Sequence, residues 1–305
     1  MWHQRCSWAK GLFLAILALA VSCKTSDDAK AVADQMTAAA KDLGDYYDAL
    51  ATLVDNHARL EHLQQATIGV PFDQQDMAQL QDVHAALEKR ADAAHELANL
   101  AEAFTGLTGS TAPADVSNSA ANLGMALSTV PQLPGAANAS AILQNAGQIL
   151  TKFAQERDER KMAKSMEPTM SALSQMFSQE KPAYDSIDRT YTELAQGIAL
   201  DLLSKNQVDP GSLMDPALKP FGLAARTPSE QVPQGLADYA KEQIRTRGEA
   251  DIAAHAKASD AMDSALKELS KRTHELATGG RMPERGFTVE LTDVEAWVKL
   301  ILSHM

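Results

Sequence analysis

From Val32 the chain sets Met36, Ala39, Leu43, Tyr46, Leu50, Leu53, His57 and Leu60 in strict alternation of four and three residues. A spacing that averages 3.5 places all of these side chains on one stripe of a helix, and no strand would bring them together. At 1.5 Å per residue such a helix is about 50–60 Å long. A mostly apolar stripe of that length must be covered by a second helix. Gly69 and Pro71 then punctuate the chain, and Asp73 can cap the next helix. Met77, Leu80, His84, Leu87, Ala91, Ala94, Ala98 and Ala101 repeat the stripe, with alanine along the far half where a partner helix can come close. A short turn between two long helices predicts an antiparallel hairpin.

The rest of the chain keeps the pattern. Val116 to Thr151 has no charged residue, yet Val116, Ala120, Leu123, Leu127 and Val130 fall at seam spacing, and Pro131 to Gly135 makes a turn. This reads as a second hairpin with Leu123, Leu127, Ile142 and Ile149 buried against the long helices. Glu156 to Lys164 is a solvated run of mixed charge. Met166, Met170, Leu173, Phe177, Glu180, Tyr184, Ile187, Tyr191, Leu194 and Ile198 form the next seam, and Glu180 alone breaks it. Pro168 and Pro182 inside this run predict kinks or a local break. Pro210, Pro216 and Pro220 exclude a long helix between Asn206 and Arg226. Thr227-Pro228-Ser229-Glu230 is a helix start, and Ile252, His255, Met262, Leu266, Leu269 and Leu276 mark the last long seam, which Gly279-Gly280 ends. Thr292 opens a short final helix with Trp297, Val298 and Ile301 as its buried face. With 5% aromatics and no alternating Val/Ile run, the expectation is an all-α, elongated antiparallel bundle of heptad-patterned helices.

Ahead of the bundle stands a different kind of segment. Arg5 and Lys10 precede the short apolar run Leu12–Leu19, and small residues follow up to Cys23. This is the layout of a secretory signal, and the run is about half the ~20 residues a membrane span needs. Ala18-Leu19-Ala20 fits ordinary cleavage, which would leave Cys23 as a free thiol. Ala20-Val21-Ser22-Cys23 resembles the lipobox of bacterial lipoproteins, although the family usually has Leu where Ala20 stands. The resemblance implies cleavage after residue 22 and acylation of Cys23. Cys6 lies in the removed piece, so Cys23 has no disulfide partner, and an acylated cysteine resolves that exposure in an oxidising compartment. Two acyl chains give stable anchoring in a bilayer. In the family, Asp directly after the cysteine holds the protein at the inner membrane. Lys24 stands here, so the resemblance implies the outer membrane, facing the periplasm, in a Gram-negative envelope. The expected organisation is signal 1–22, tether 23–28, bundle 29–205, Pro-rich loop 206–226, and a last long helix with a short final helix over 227–305.

Candidate chemistry is sparse. His57 and His84 take seam positions at equal distance from the predicted turn, so an antiparallel hairpin sets them level. They are the candidates for a shared metal or a pH-sensitive latch: two buried histidines would titrate low and loosen the bundle in mild acid. His255 could join them. His57-Ala-Arg-Leu-Glu-His62 lacks H-E-x-x-H spacing, and no G-x-S-x-G, phosphate loop, C-x-x-C or EF-hand occurs. Asp45 and Asp48 read as an exposed acid edge beside core tyrosines, and Met166, Met170 and Met176 as core filler. A formal charge of −12 argues against nucleic acid.

These observations predict an envelope lipoprotein without catalytic activity or cofactor. It would be tied to the bilayer through acylated Cys23 and would serve as a scaffold or bind an envelope protein. Two alternatives stand beside it. One is a periplasmic ligand- or metal-binding sensor that uses the seam histidines. The other is a membrane-active protein, because a charge-poor 116–151 hairpin between long helices resembles the layout of α-helical pore-forming toxins.

Overall fold

The computed structural model of the chain describes residues 5–69, 74–107, 113–134, 140–156, 159–208, 233–278 and 288–303. Among these the fold is all-α, with seven helices and no strand: α1 (Arg5–Ile68), α2 (Gln74–Leu107), α3 (Pro113–Thr129), α4 (Ser140–Glu156), α5 (Glu159–Ser204), α6 (Gln234–Ala277) and α7 (Thr292–Ser303). Residues 209–226 of the Pro-rich stretch, the Thr227–Glu230 start and Gly279-Gly280 lie outside the described residues, as do the side chains of residues 5–28. Among the described residues no helix is long and apolar enough to cross a membrane.

Three antiparallel pairs make the bundle: α1 with α2, α3 with α4, and α5 with α6. The middle pair bridges the outer two, α3 seated on α2 and α4 on α5. Helix α1 closes the bundle against α5 and α6, and α7 lies over α1 and α6. The predicted register holds between α1 and α2. Lys41 pairs with Glu102, Thr105 Oγ1 donates to Asp34 Oδ1, and the His95 ring lies on Gly44. The seam residues Val32 to Leu53 and Leu87 to Ala101 form one continuous core with those of α5, α6 and α7. Burying this hydrocarbon is the main force that holds long helices together, since helix propensity alone is marginal.

The charge-poor hairpin packs as expected, with one shift. Val116, Ala120, Leu123, Leu127 and Val130 are fully buried. On α4 the inward stripe is Leu143, Ala146, Leu150 and Ala154. Ile142 and Ile149 lie one position off it. Ile142 is therefore only half-buried, and Ile149, expected in the core, is 39% exposed. The two helices touch backbone to backbone where Gly124 meets Gly147: a Cβ on Gly147 would lie 2.6 Å from the Gly124 carbonyl oxygen. Small residues at that crossing are a geometric requirement.

Helix α5 runs through Pro168 and Pro182 without a break. Each proline removes one backbone bond, a cost of about 3 kcal/mol in an isolated helix. Packing of α5 on α4, α1 and α6 outweighs it. The helix ends at a left-handed residue, Asn206, with φ 57°. The Gln207 N–H donates to the Leu202 carbonyl at 2.9 Å and the Asn206 N–H to that of Leu203 at 3.1 Å, a Schellman closure with asparagine in place of glycine. Helix α7 starts with Asp293 and Glu295 in its first turn, where the helix dipole favours acids, and buries Val294, Trp297, Val298 and Ile301.

Candidate functional site

Midway along the bundle the apolar seams carry a polar insertion. Glu180 occupies an α5 seam position and is wholly buried. Arg90 reaches it from α2 through a bidentate contact, Nε to Oε2 at 2.9 Å and Nη2 to Oε1 at 2.7 Å. Two further guanidinium protons go to the carbonyls of Ala86, at 2.7 Å, and Pro131, at 3.0 Å. One side chain thereby ties α2, the α3–α4 turn and α5 together. Burial alone would lower the Arg90 pKa, but the hydrogen bond and charge of Glu180 reverse this and hold the guanidinium above its usual range. The Tyr184 hydroxyl donates to Glu180 Oε2 at 2.5 Å and lies 3.3 Å from the Tyr47 hydroxyl. With its one proton directed at Glu180, Tyr184 accepts from Tyr47.

A second polar group adjoins the first across an aromatic wall. Tyr46 packs on Phe177, Tyr184 and Trp297, with ring centroids 5.6, 6.1 and 5.1 Å away. Three of the chain's five tyrosines meet here, so a sequence poor in aromatics concentrates them at one level. Burial pushes the hydroxyls of Tyr46, Tyr47 and Tyr184 well above the ordinary range and keeps them protonated. The Tyr46 hydroxyl lies 3.0 Å from His255 Nε2 and donates to it in the tautomer protonated at Nδ1. The remaining ring proton then sits on Nδ1, which faces Asp185 Oδ1 at 3.4 Å and Asp188 Oδ2 at 3.9 Å. Asp185 also accepts from Ser259 at 2.9 Å and pairs with Lys181 at 3.0 Å. Asp188 Oδ2 and Trp297 Nε1 are buried with no partner in hydrogen-bond geometry.

Desolvation lowers the His255 pKa from 6.5 to about 4, with Asp185 pulling the other way. Burial raises Asp188 from 3.8 to about 7, helped by repulsion from Asp251 and Asp185. These shifts act on stability with opposite signs. Between about 4 and 6.5 the unfolded chain takes up a proton that folded His255 refuses, so the His255 contribution is lost as pH falls. Between 3.8 and about 7 folded Asp188 holds a proton that the unfolded chain has released, so its contribution is lost as pH rises. Asp42, on α1 facing α7, is raised to about 6 by burial and by Glu295 and Asp45, and acts in the Asp188 direction. Above about 6.5 only the carboxyl groups still change.

The seam histidines of the first hairpin behave differently. The α1–α2 register brings His57 and His84 near one level, but carboxylates engage each separately. His57 Nε2 pairs with Glu61 at 3.0 Å, and His84 pairs with Asp55 at 3.0 Å and Glu88 at 3.3 Å. Both rings are partly exposed, at 13% and 28%. Among the described residues no cluster of three or more His, Cys, Asp or Glu is arranged for a metal. Asp45 and Asp48 are exposed beside buried Tyr46 and Tyr47, and Met166, Met170 and Met176 are core. The Cys23 side chain lies outside the described residues.

Sequence reasoning finds Glu180, Tyr46, Tyr184 and His255 as seam positions and misses Arg90, Asp185 and Asp188. A signal exists for Arg90: a lone acid on a seam needs a cation, and Arg90 sits beside seam residues Leu87 and Ala91. Asp185 and Asp188 each follow a seam residue, and nothing local marks them as buried or half-buried. No family model, no curated protein and no solved structure matches this chain.

Proposed function

We propose that the protein is a lipid-anchored component of a bacterial cell envelope whose bundle acts as a rigid, non-catalytic scaffold or partner-binding module. The observation that carries the reading is the sealing of the polar centre. Tyr46, Tyr184 and Glu180 are fully buried, and His255 is 2% exposed. The Asp–His–Tyr order looks like a proton relay, yet no substrate atom could approach the imidazole or a hydroxyl. Groups held in this way specify which helix faces which and in what register, a role buried polar groups fill in other bundles. The anchoring half rests on the lipobox-like Ala20–Cys23 and on the absence of another cysteine after it. Helix α1 contains Cys23 and is the spine that α2, α5, α6 and α7 all contact, so an anchor there would be coupled directly to the scaffold.

The membrane-active alternative finds less support. Leu123, Leu127, Leu143 and Leu150 form part of the common core, and insertion would have to withdraw them. The sensor alternative would need histidines or tyrosines lining a pocket; here Tyr46, Tyr47, Tyr184 and His255 pack together, and carboxylates engage His57 and His84.

Two measurements test the proposal. Mass spectrometry of the processed N-terminus should find an acylated Cys23, and an unmodified chain starting at Val21 would sink the anchoring half. In-cell photocrosslinking from probes placed along the exposed face of each helix should give discrete adducts with an envelope protein from one face. Monomeric protein at every position would sink the scaffold half.

A further inference from the structure

We infer that the end of the bundle next to Cys23 holds a binding groove for one long-chain fatty acid. A cavity of about 470 Å³ opens there between α1, the start of α5 and the ends of α2 and α6. Its volume lies within the roughly 300–1,000 Å³ usual for small-ligand sites. Val32, Met36, Phe104, Met166 and Leu276 line it, and all offer hydrocarbon or thioether. Elsewhere the seams of neighbouring helices fill this space. Here the stripe of α1 continues and nothing among the described side chains fills the gap.

The wall chemistry selects the occupant. Thr273 provides the one side-chain hydroxyl among the lining residues, and it already donates to the Leu269 carbonyl at 2.8 Å. A peptide would bring backbone N–H and C=O groups that such walls leave unsatisfied, at a cost that excludes it. An acyl chain carries none, and each methylene withdrawn from water adds affinity. Methionine side chains adapt to a flexible chain. Lys30 and Lys164 also line the cavity, both exposed, and no carboxylate among the described residues does. Their stems extend the apolar wall while their ammonium groups stay in water, where the head of an acid would sit. A neutral hydrocarbon would leave that charge unused.

Position agrees with this chemistry. Ala29, on the lining, is six residues beyond Cys23, about 9 Å along α1 at 1.5 Å per residue. Supply of the fatty acid from a membrane rests on the anchoring proposal, whereas the affinity of the groove does not.

The test uses protein purified from membranes as the cell processes it, with palmitic acid bearing a terminal diazirine as the probe. Irradiation followed by peptide mapping should show saturable labelling at Val32–Met36 and at Met166, and Ala33→Trp should remove it. The matching fatty alcohol should label about three- to tenfold less, and the Lys30→Glu/Lys164→Glu variant should show a similar loss with the acid, as expected for two exposed ion pairs. That variant lies on the surface and keeps the test decisive if Ala33→Trp fails to fold. Equal labelling by acid and alcohol would overturn the assignment. So would labelling spread over exposed residues such as Leu63 and Met125, or a groove that opens only in Cys23→Ala because the chain's own acyl group fills it. Groove labelling on a chain whose N-terminus proves unacylated would sink the anchoring proposal and leave the groove standing.

Discussion

Replacing Glu180 with leucine should cost the bundle a large part of its stability, and replacing its partner as well should restore most of it. The carboxylate accepts two bonds from Arg90 and one from Tyr184, and neither Arg90 nor Glu180 has side-chain exposure to water. Glu180→Leu leaves a buried guanidinium with only the Ala86 and Pro131 carbonyls, and leaves the Tyr184 hydroxyl without its acceptor. Breaking one side of a buried pair costs roughly 3–5 kcal/mol, and an orphaned buried donor costs about 1–3 kcal/mol. The variant should therefore lose about 4–8 kcal/mol, a large part of the 5–15 kcal/mol typical of a folded domain. Arg90→Met/Glu180→Leu removes the stranded charge. It should return to within about 1–2 kcal/mol of wild type, the remainder being the unpartnered Tyr184. Urea unfolding read by tryptophan emission measures this directly. Trp2 and Trp8 lie in the segment read as signal, so Trp297, beside Tyr46, reports from the centre itself. A loss below about 1 kcal/mol for Glu180→Leu, or a double variant no better than the single one, would refute the claim that the pair is sealed and interdependent.

The opposed shifts of His255 and Asp188 predict a bundle that weakens as pH rises from about 6 toward 7, by up to roughly 1.4 kcal/mol per pH unit for one proton. Asp188→Asn should flatten that limb of a pH series of urea midpoints, and an unchanged limb would remove Asp188 as its source. Gly147→Leu should force the α3–α4 crossing apart at a cost of about 1–3 kcal/mol. Hydrogen exchange should then rise over α3 and α4 first, and uniform exchange across the bundle would contradict the local account. Cys23→Ala should move the protein from the membrane fraction or stall it as a precursor, which fractionation and immunoblotting read. Vesicles incubated with the purified protein should retain their dye, and release at low protein concentration would revive the membrane-active reading.

The fold is legible because one physical rule writes most of it. A stripe at 3.5-residue spacing can be buried only by another helix, so much of the seams of α1, α2, α3, α5 and α6 can be read from spacing. Val32, Leu43, Leu87, Leu127, Phe177 and Met262 all enter the core, while late in α5 the buried positions are Asp188 and Thr192, one past the half-buried Ile187 and Tyr191. The rule weakens where a stripe drifts. On α4, which no long seam anchors, the pattern points Ile149 inward and it lies outward. Proline propensity misleads in α5, where it allows a local break and the helix is continuous, because propensity is local and the packing that overrides it is not. The candidate site is legible only in halves. A seam shows that Glu180 and His255 point inward, but their partners come from residues 90 and 46, on helices whose height relative to α5 and α6 no local spacing records.

The histidines show why a shared level does not make a site. His57, His84 and His255 all take seam positions, and the hairpin register holds, yet their surroundings differ completely. At His57 and His84 carboxylates on the same hairpin reach the rings, and water stays close. At His255, helices α1, α5, α6 and α7 converge, and Tyr46, Asp185, Asp188 and Trp297 crowd the ring from the other three. Burial requires a third and fourth element, and their arrival depends on the long connections between pairs, which a heptad does not encode. The same convergence that supplies partners no local spacing records also seals His255 from solvent. On the scaffold reading proposed above, this buried cluster holds helices in place, and the proposed ligand groove lies apart from it, at the end of the bundle nearest Cys23.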